Sequence, residues 1–253
     1  MGFEKVQVAR RMCPVIFLLD TSGSMSIMSE SGSPIGSVNE AIEGVLPELI
    51  SMNESNSDNE IKVGVMTFDS EVRWITGDSG LVSPEDLKNS WNAVNADGLT
   101  SMGEAFLELK RRLSIKEGGF MRRASGSVAP VLFLLSDGDP TDDYQYGLNK
   151  LQENSWYKVA AKVAIGYGES NDDVLREFTR NVETVLHTNN PQDLKNLIRF
   201  VAITSSRVAS TGGNSADNSV DPDDNTQNVA DALQAQGGGA LNNPLLDPGD
   251  FEE

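Results

Sequence analysis

The strongest constraint in this sequence is a short apolar run that ends at a cluster of oxygen-bearing side chains. Residues 15–19 (VIFLL) have no polar side chain, which is typical of a strand buried on both faces of a parallel sheet. Asp20, Ser22 and Ser24 follow at once. The intervening Gly23 permits a tight turn. This order predicts a buried strand whose carboxyl end presents one carboxylate and two hydroxyls on the same side.

Two further polar positions are predicted to lie near this turn. A second apolar run, residues 131–136, ends directly at Asp137. Thr100 lies in a Gly-containing loop just before a segment with helical periodicity, residues 104–113. In a doubly wound sheet, ligands bind in the crevice beyond the carboxyl ends of the strands. We therefore expect Asp137 and Thr100 to meet the serine turn at that edge.

The residue types predict a site for one divalent cation. All five side chains supply oxygen, which hard cations prefer, and only two of them are carboxylates. Such a site leaves the cation electrophilic, with a position open for another ligand. Mg²⁺ is the predicted cation, with Mn²⁺ and Ca²⁺ as alternatives. If Asp20, Ser22 and Ser24 only capped a turn, the placement of Thr100 and Asp137 downstream would have no explanation. The predicted ligands are Asp20, Ser22, Ser24, Thr100 and Asp137.

Strand and helix patterns alternate along the chain, which predicts an α/β fold. The expected architecture is a Rossmann-like, mostly parallel central sheet with helices on both faces. Asp69 and Ser70 form a plausible tight turn, so the strands on either side are expected to pair as an antiparallel hairpin at one edge. The predicted strands are 15–19, 61–68, 72–75, 131–136, 158–167 and 184–187. The predicted helices are 38–52, 84–94, 104–113, 144–154, 172–181 and 191–205.

Residues 8–206 resemble the von Willebrand factor A (VWA) proteins, and within them the TerY-like branch of bacterial tellurium-resistance and stress operons. One departure is a short insertion at residues 26–31, beside the predicted metal site. The blocks that carry the resemblance are PVIFLLDTSGSM (14–25), GSPIGSVNEAIEGV (32–45), VGVMTFDS (63–70), DGLTSMGEAF (97–106), VLFLLSDGDPTDD (131–143), VAIGYGESNDDVL (163–175) and RFVAITSS (199–206).

This resemblance implies a metal-ion-dependent adhesion site (MIDAS) in a non-enzymatic protein–protein interaction module. Ser22, Ser24 and Thr100 would contact Mg²⁺ directly, while Asp20 and Asp137 would bind mainly through water. An acidic residue of the partner would complete the metal's shell, and the candidate partners are a protein kinase and a PP2C-type phosphatase. Two alternatives remain open: an assembly subunit that works with an AAA+ ATPase, and a metal-dependent phosphohydrolase.

Composition excludes several other functions. The formal net charge of −18 argues against nucleic acid, whose phosphates require basic surfaces, and against an anionic membrane. His187 is the sole histidine and is predicted to lie away from the metal, so a histidine-based triad is not expected. The single cysteine, Cys13, excludes an intramolecular disulfide. No signal sequence or membrane span is evident, so a cytoplasmic location is expected.

The composition changes at residue 207, and we divide the chain there. Residues 1–206 are predicted to form the VWA domain with its MIDAS. Residues 207–253 hold nine acidic residues and one basic residue, and so carry −8 of the net charge. They hold few core-forming side chains, so a disordered acidic tail is expected, with at most a transient helical turn at 229–236.

Acidic residues also cluster after Asp137. Asp139 is expected at the rim of the metal site. Thr141 is predicted to cap the helix that begins near residue 144, since Thr is favoured at that position.

Overall fold

The structure, a computed structural model, describes residues 10–30, 32–77, 80–123, 126–168, 170–211 and 224–237. In this part of the chain six strands form one sheet, in the order β3-β2-β1-β4-β5-β6. The strands are β1 (Arg11–Asp20), β2 (Asn59–Phe68), β3 (Val72–Trp74), β4 (Val131–Ser136), β5 (Ala161–Tyr167) and β6 (Val185–Thr188). The α-helices are α1 (Pro34–Ser55), α2 (Pro84–Ser90), α3 (Met102–Arg112), α4 (Tyr144–Gln152), α5 (Ser155–Val159), α6 (Asp172–Thr179), α7 (Pro191–Thr211) and α8 (Asp224–Gly237).

The sheet is mixed, with a single antiparallel pair among the described strands. β1 is parallel to both of its neighbours, β2 and β4, and β4, β5 and β6 continue in parallel. β3 pairs antiparallel with β2 at one edge, as the hairpin pattern predicts. The predicted α/β fold, with one antiparallel edge strand and helices on both faces, is confirmed.

The central strand β1 is apolar because both of its faces are covered. Val15, Phe17 and Leu19 join a buried cluster with α1 and α7 on one face. Ile16 and Leu18 join a second cluster on the other face, together with residues of α3, α4 and α6. Two buried faces remove the alternation of apolar and polar residues that a half-exposed strand would show.

The strand order opens a crevice between β1 and β4. From β1 the chain crosses to β2 on one side, and it later returns to β4 on the other side. The connections therefore diverge at the carboxyl ends of β1 and β4. Such a topological switch point is where open α/β sheets bind their ligands.

Of the elements that are shorter than predicted, two have an evident cause in side-chain hydrogen bonds. α2 ends at Ser90, four residues earlier than predicted, because Asn39 bonds to both the N–H and the carbonyl of Val94 and holds that segment extended. The strand predicted over 158–167 begins only at Ala161, because a short helix, α5, precedes it. The Asn154 side chain caps α5 by accepting hydrogen bonds from two of its N–H groups.

The expectation of disorder from residue 207 onward is wrong for the described part of that region. α7 continues to Thr211, and α8 packs on α7 and β5. Val229 and Leu233 are 0% and 1% exposed, and both belong to the main apolar cluster. The Thr226 hydroxyl accepts from the Lys162 N–H and donates to the Ala160 carbonyl, 3.2 Å in each case. Residues 212–223 and 238–253 lie outside the described residues.

Candidate metal centre

Asp20 is the innermost of the predicted ligands. It is the last residue of β1 and is completely buried. Its Oδ2 accepts a hydrogen bond of 2.6 Å from the Ser136 hydroxyl at the end of β4. Its Oδ1 accepts one of 2.9 Å from the Ser22 N–H. These two donors fix the carboxylate between the two strand ends.

Burial makes the charge on this carboxylate costly in the absence of a cation. Loss of water around Asp20 raises its pKa to about 6, even though hydrogen bonds from Ser136 and Ser22 act in the opposite direction. The nearby negative charge of Asp137 adds to the rise. A cation at this edge would remove both penalties, which is an electrostatic reason to expect one here.

The serine turn connects β1 to the end of β4. After Ser22 the backbone forms one 3₁₀ turn, Gly23–Ser26. The Ser22 and Ser24 hydroxyl oxygens lie 3.1 Å apart, and Ser24 Oγ donates a hydrogen bond of 2.8 Å to Asp137 Oδ1. Asp20, Ser22, Ser24 and Asp137 therefore form one contiguous polar chain across the crevice.

Asp137 is less enclosed than Asp20. Its side chain is partly buried, and Ser24 beside it is exposed. Burial raises the pKa of the Asp137 carboxyl above its ordinary value, against the lowering effect of the Ser24 hydroxyl. The site is therefore closed on the Asp20 side and open to solvent on the side of Ser24 and Asp137.

Thr100 reaches this site on a loop that is pinned to the serine turn. Gly98 has φ +80°, a conformation that favours glycine, and its carbonyl accepts a 3.2 Å hydrogen bond from the Gly23 N–H. The Asp97 N–H donates to the Thr21 carbonyl over 2.9 Å. Thr100 itself is 6% exposed. The loop therefore holds Thr100 beside the turn through backbone contacts.

The loop after β4 holds the Thr100 loop from the opposite side. The Thr100 N–H donates to Thr141 Oγ1 over 3.1 Å, and the Thr141 N–H donates back to the Thr100 carbonyl over 2.9 Å. Asp142 accepts from the N–H groups of Gly103 and Glu104, each over 2.9 Å. Asp142 thereby caps the amino terminus of α3, whose own Ser101 makes no such bond.

This arrangement corrects the prediction for Thr141. The residue that caps α4 is Asp143, whose Oδ1 accepts from the Tyr146 N–H over 3.0 Å. The Thr141 side chain faces the Thr100 loop instead. Asp139 lies at the exposed rim, where it accepts a 2.6 Å hydrogen bond from Asn171.

The structure thus brings four of the five predicted ligands into one hydrogen-bonded chain and places Thr100 on the adjoining loop. Sequence reasoning missed the supporting roles of Ser136, Thr141 and Asp142. Ser136 could have been found, because it directly precedes Asp137 at a buried strand end. Thr141 and Asp142 act on another loop 40 residues away, and no local pattern reveals that contact.

The donor set fits a hard divalent cation that is bound by few charged ligands. It offers two carboxylates and two hydroxyls in one hydrogen-bonded chain at a strand edge, with Thr100 on the adjoining loop. Within the described residues there is no group of three or more His, Cys, Asp or Glu side chains that could hold a metal ion. Mg²⁺ suits such a site, because it is bound by one or two carboxylates with other oxygens filling its shell.

Exposed apolar side chains lie next to the predicted metal ligands along the chain. Ile27 and Met28, in the insertion after the serine turn, are 67% and 73% exposed. Leu99, directly before Thr100, is 59% exposed. We call these three residues the apolar rim.

A cavity of about 520 Å³ lies beyond the Thr100 loop, on the side of the β2–β3 hairpin. Thr21, Asp97 and Gly98 form the wall that it shares with the metal centre, and Asp69 and Arg73 line it as an ion pair of 2.8 Å. The surface beside the metal centre therefore has a hollow lined by both polar and apolar side chains.

His187 does not belong to the metal centre. It lies in β6, with Nε2 3.2 Å from Asp172 Oδ1 and Nδ1 3.5 Å from Ser170 Oγ. The arrangement has the residue types of a hydrolytic triad, but Asp172 also pairs with Arg176 over 3.1 Å. The serine contact lies at the outer limit of a hydrogen bond. We interpret the group as a hydrogen-bonded cluster at the start of α6, in which Asp172 forms an ion pair with Arg176.

The chain belongs to the von Willebrand factor type A domain family, whose model matches residues 15–200. Among curated proteins, no sequence matches this chain. The narrower resemblance to the TerY-like branch stays a prediction.

Solved structures share the fold at low sequence identity. Proximal thread matrix protein 1 from the mussel byssus, in a structure with a zinc-occupied MIDAS motif, is 20% identical with a TM-score of 0.58, and the match covers 77% of this chain and 48% of that protein. A von Willebrand factor type A protein from Catenulispora acidiphila is 18% identical with a TM-score of 0.57, covering 78% and 43%. This chain therefore spans about half the length of either protein.

BatB, a conserved hypothetical protein from Bacteroides thetaiotaomicron, is 16% identical with a TM-score of 0.54, and the match covers 77% of this chain and 98% of BatB. At these identities the likeness shows the fold alone. None of the helices in the described ranges is both long and apolar enough to cross a membrane.

Proposed function

We propose that this protein is a non-enzymatic, metal-dependent protein–protein interaction module. The observation that carries the proposal is the polar chain from buried Asp20 through Ser22 and Ser24 to Asp137, at the switch point of the sheet. It is closed on one side and open on the other, so a bound cation would face solvent at one position. An accessible cation of this kind is suited to accept a ligand from outside the chain.

Five residues would hold the cation. Following the family resemblance, Ser22, Ser24 and Thr100 would contact Mg²⁺ directly, and Asp20 and Asp137 would bind mainly through water. The cation supplies positive charge and an open coordination position for a carboxylate of the partner. The zinc-occupied MIDAS motif named for the mussel protein supports a divalent cation in this fold.

Electrostatics makes the interaction depend on the metal. The chain carries a net charge of −18 and would repel an acidic partner surface. A divalent cation neutralises Asp20 and Asp137 and attracts one further carboxylate over a short distance. Removal of the cation leaves two uncompensated carboxylates at the same place. Chelation should therefore convert attraction into repulsion.

The proposed setting comes from the resemblance to the TerY-like branch. It is a bacterial stress or tellurium-resistance system, in the cytoplasm, with a protein kinase and a PP2C-type phosphatase as the candidate partners. The alternative with the same metal site is an assembly subunit that works with an AAA+ ATPase. The genes that neighbour this one, a kinase and phosphatase pair or an ATPase, would distinguish the two.

The test of the metal centre is calorimetric titration of Mg²⁺ and Mn²⁺ into the full chain. We expect one cation per chain for the wild type and loss of binding in Asp137→Asn. The matched control is Asp139→Asn, since Asp139 also follows β4 but bonds to Asn171 outside the polar chain. Equal binding by the wild type and Asp137→Asn would overturn the proposed ligand set.

The test of the interaction is capture of the candidate kinase and phosphatase by the full chain, with Mg²⁺ and with chelator. We expect capture only with Mg²⁺, and loss of capture in Asp137→Asn but not in Asp139→Asn. Circular dichroism in chelator should show that the domain stays folded. Capture that is unchanged by chelator would move the interface away from the metal centre.

A further inference from the structure

The apolar rim indicates what kind of group covers the metal centre. Ile27 follows the serine turn directly, with its N–H bonded to the Ser24 carbonyl over 3.0 Å. Leu99 lies between Gly98, which is bonded to Gly23, and Thr100. Exposed large apolar side chains thus stand on both of the loops that carry metal ligands. A ligand that matches this surface combines a carboxylate with neighbouring apolar side chains.

A segment of this chain has that chemistry. In residues 245–252 (LLDPGDFE), Asp247 follows two leucines and Phe251 stands between Asp250 and Glu252. The segment belongs to residues 238–253, which lie outside the described part of the chain.

The anchoring of α8 places this segment within reach of the metal centre. Thr226 bonds to Lys162, which pairs with Leu132 of β4. Asp137 lies five residues further along the chain, about 17 Å at the rise of a strand. From Thr226 to the end of α8 is eleven residues, about 16 Å. From there Asp247 is ten residues away, which span up to about 35 Å when extended.

We propose that residues 245–252 dock on the apolar rim of the same chain and present Asp247 to the metal. The inference rests on the proposed function, because it uses the same cation and its open position. An intramolecular ligand has an effective concentration in the millimolar range when its tether spans the sites. The segment therefore competes with the partner's carboxylate and sets the affinity that a partner must exceed.

Charge repulsion makes the proposed docking respond to salt differently from an attraction between opposite charges. The segment and the rest of the chain are both acidic, so the metal bond and the apolar contacts must outweigh their mutual repulsion. Salt screens that repulsion over distances of about 10 Å at 0.1 M. Docking should therefore strengthen as salt rises, opposite to an attraction between a basic and an acidic surface.

The experiment uses paramagnetic Mn²⁺ on the isotopically labelled full chain, compared with Mg²⁺ by nuclear magnetic resonance. Mn²⁺ weakens the amide signals of residues close to it. We expect weakened signals for both the serine turn and residues 245–252. Asp247→Asn, or Ile27→Ser combined with Leu99→Ser, should restore the signals of 245–252 and leave those of the turn weakened. The matched control is Asp217→Asn, which removes an acid of the tail that has no large apolar neighbour.

The outcomes separate the two proposals. If neither set of signals weakens, the metal centre itself fails. If the signals of the serine turn weaken and those of residues 245–252 do not, the docking inference is overturned and the metal centre stands. A mixture of labelled Asp20→Ala with unlabelled wild type tests whether the segment docks on a second copy of the chain. Weakened signals of residues 245–252 in the labelled chain would show docking between chains. That result would overturn the intramolecular proposal.

Discussion

We compare the edge of the sheet that holds the predicted metal ligands, called the metal edge, with the surface covered by α8. Both are well buried, but the buried groups differ in chemical type. Under α8 the buried side chains are mainly apolar, with Val229 and Leu233 in the main cluster. The buried hydroxyl of Thr226 both accepts and donates a hydrogen bond. At the metal edge the buried group is the carboxylate of Asp20, held by Ser136 and the Ser22 N–H.

The difference separates stability from binding. Burial of apolar surface stabilises the fold under any ionic conditions. Burial of a carboxylate costs free energy unless a partner charge is present. We therefore expect substitutions under α8 to change stability alone, whereas substitutions at the metal edge should change cation affinity and the pH dependence of stability.

The largest expected effect is that of Leu233→Ala. Loss of a fully buried leucine side chain should lower the free energy of unfolding by roughly 2–5 kcal/mol. Urea unfolding measures this, and calorimetry should show unchanged Mg²⁺ affinity. The matched control is Asn228→Ala on the exposed side of α8, with an expected change of less than about 1 kcal/mol. A fall in Mg²⁺ affinity for Leu233→Ala would show that α8 and the metal edge are coupled.

The second effect is the pH dependence that Asp20 causes in metal-free protein. Its pKa in the folded protein is about 6, raised from 3.8 mainly by burial, so the folded state binds the proton more tightly than the unfolded state. Ionised Asp20 therefore destabilises the fold above pH 6, and the penalty disappears as pH falls toward 4. The change is at most about 3 kcal/mol, since one pKa unit corresponds to about 1.4 kcal/mol.

Urea unfolding in chelator, from pH 7 to pH 4, compares the wild type with Asp20→Asn. We expect the wild type to gain stability relative to the variant over this range. Parallel curves would contradict the assignment of the raised pKa to Asp20. The same comparison for Asp137→Asn should show a weaker dependence, because Asp137 is only partly buried.

The smallest effect concerns the two neighbouring caps, Asp142 and Asp143. Each accepts backbone hydrogen bonds at a helix start, so each alanine variant should lose about 1 kcal/mol of stability. Only Asp142 holds the helix that follows Thr100, so only Asp142→Ala should also weaken Mg²⁺ binding, on the order of 10-fold. Calorimetry on both variants checks this. Unchanged Mg²⁺ affinity in Asp142→Ala would mean that the Thr100 loop keeps its position without Asp142.

The order of residues along the chain is sufficient to predict the sheet and the positions of the proposed metal ligands. Residues 15–19 and 131–136 must be buried strands, because apolar runs of this length lack any face suited to water. The polar residues that follow them, Asp20 and Asp137, must then lie at the carboxyl ends of those strands. No long-range information is needed for this inference, because parallel strand direction places both ends at the same edge.

The support of the site and the packing of α8 depend instead on contacts between distant parts of the chain. Asp142 caps α3, a helix 40 residues earlier in the chain, and its local sequence equally suits a cap on α4. α8 has few apolar side chains in an acidic, Gly-rich region, so composition indicated disorder. Val229 and Leu233 become core residues only because α7 and β5 provide an apolar surface for them. Neither contact can be read from sequence, because the stabilising free energy depends on surfaces supplied by distant residues.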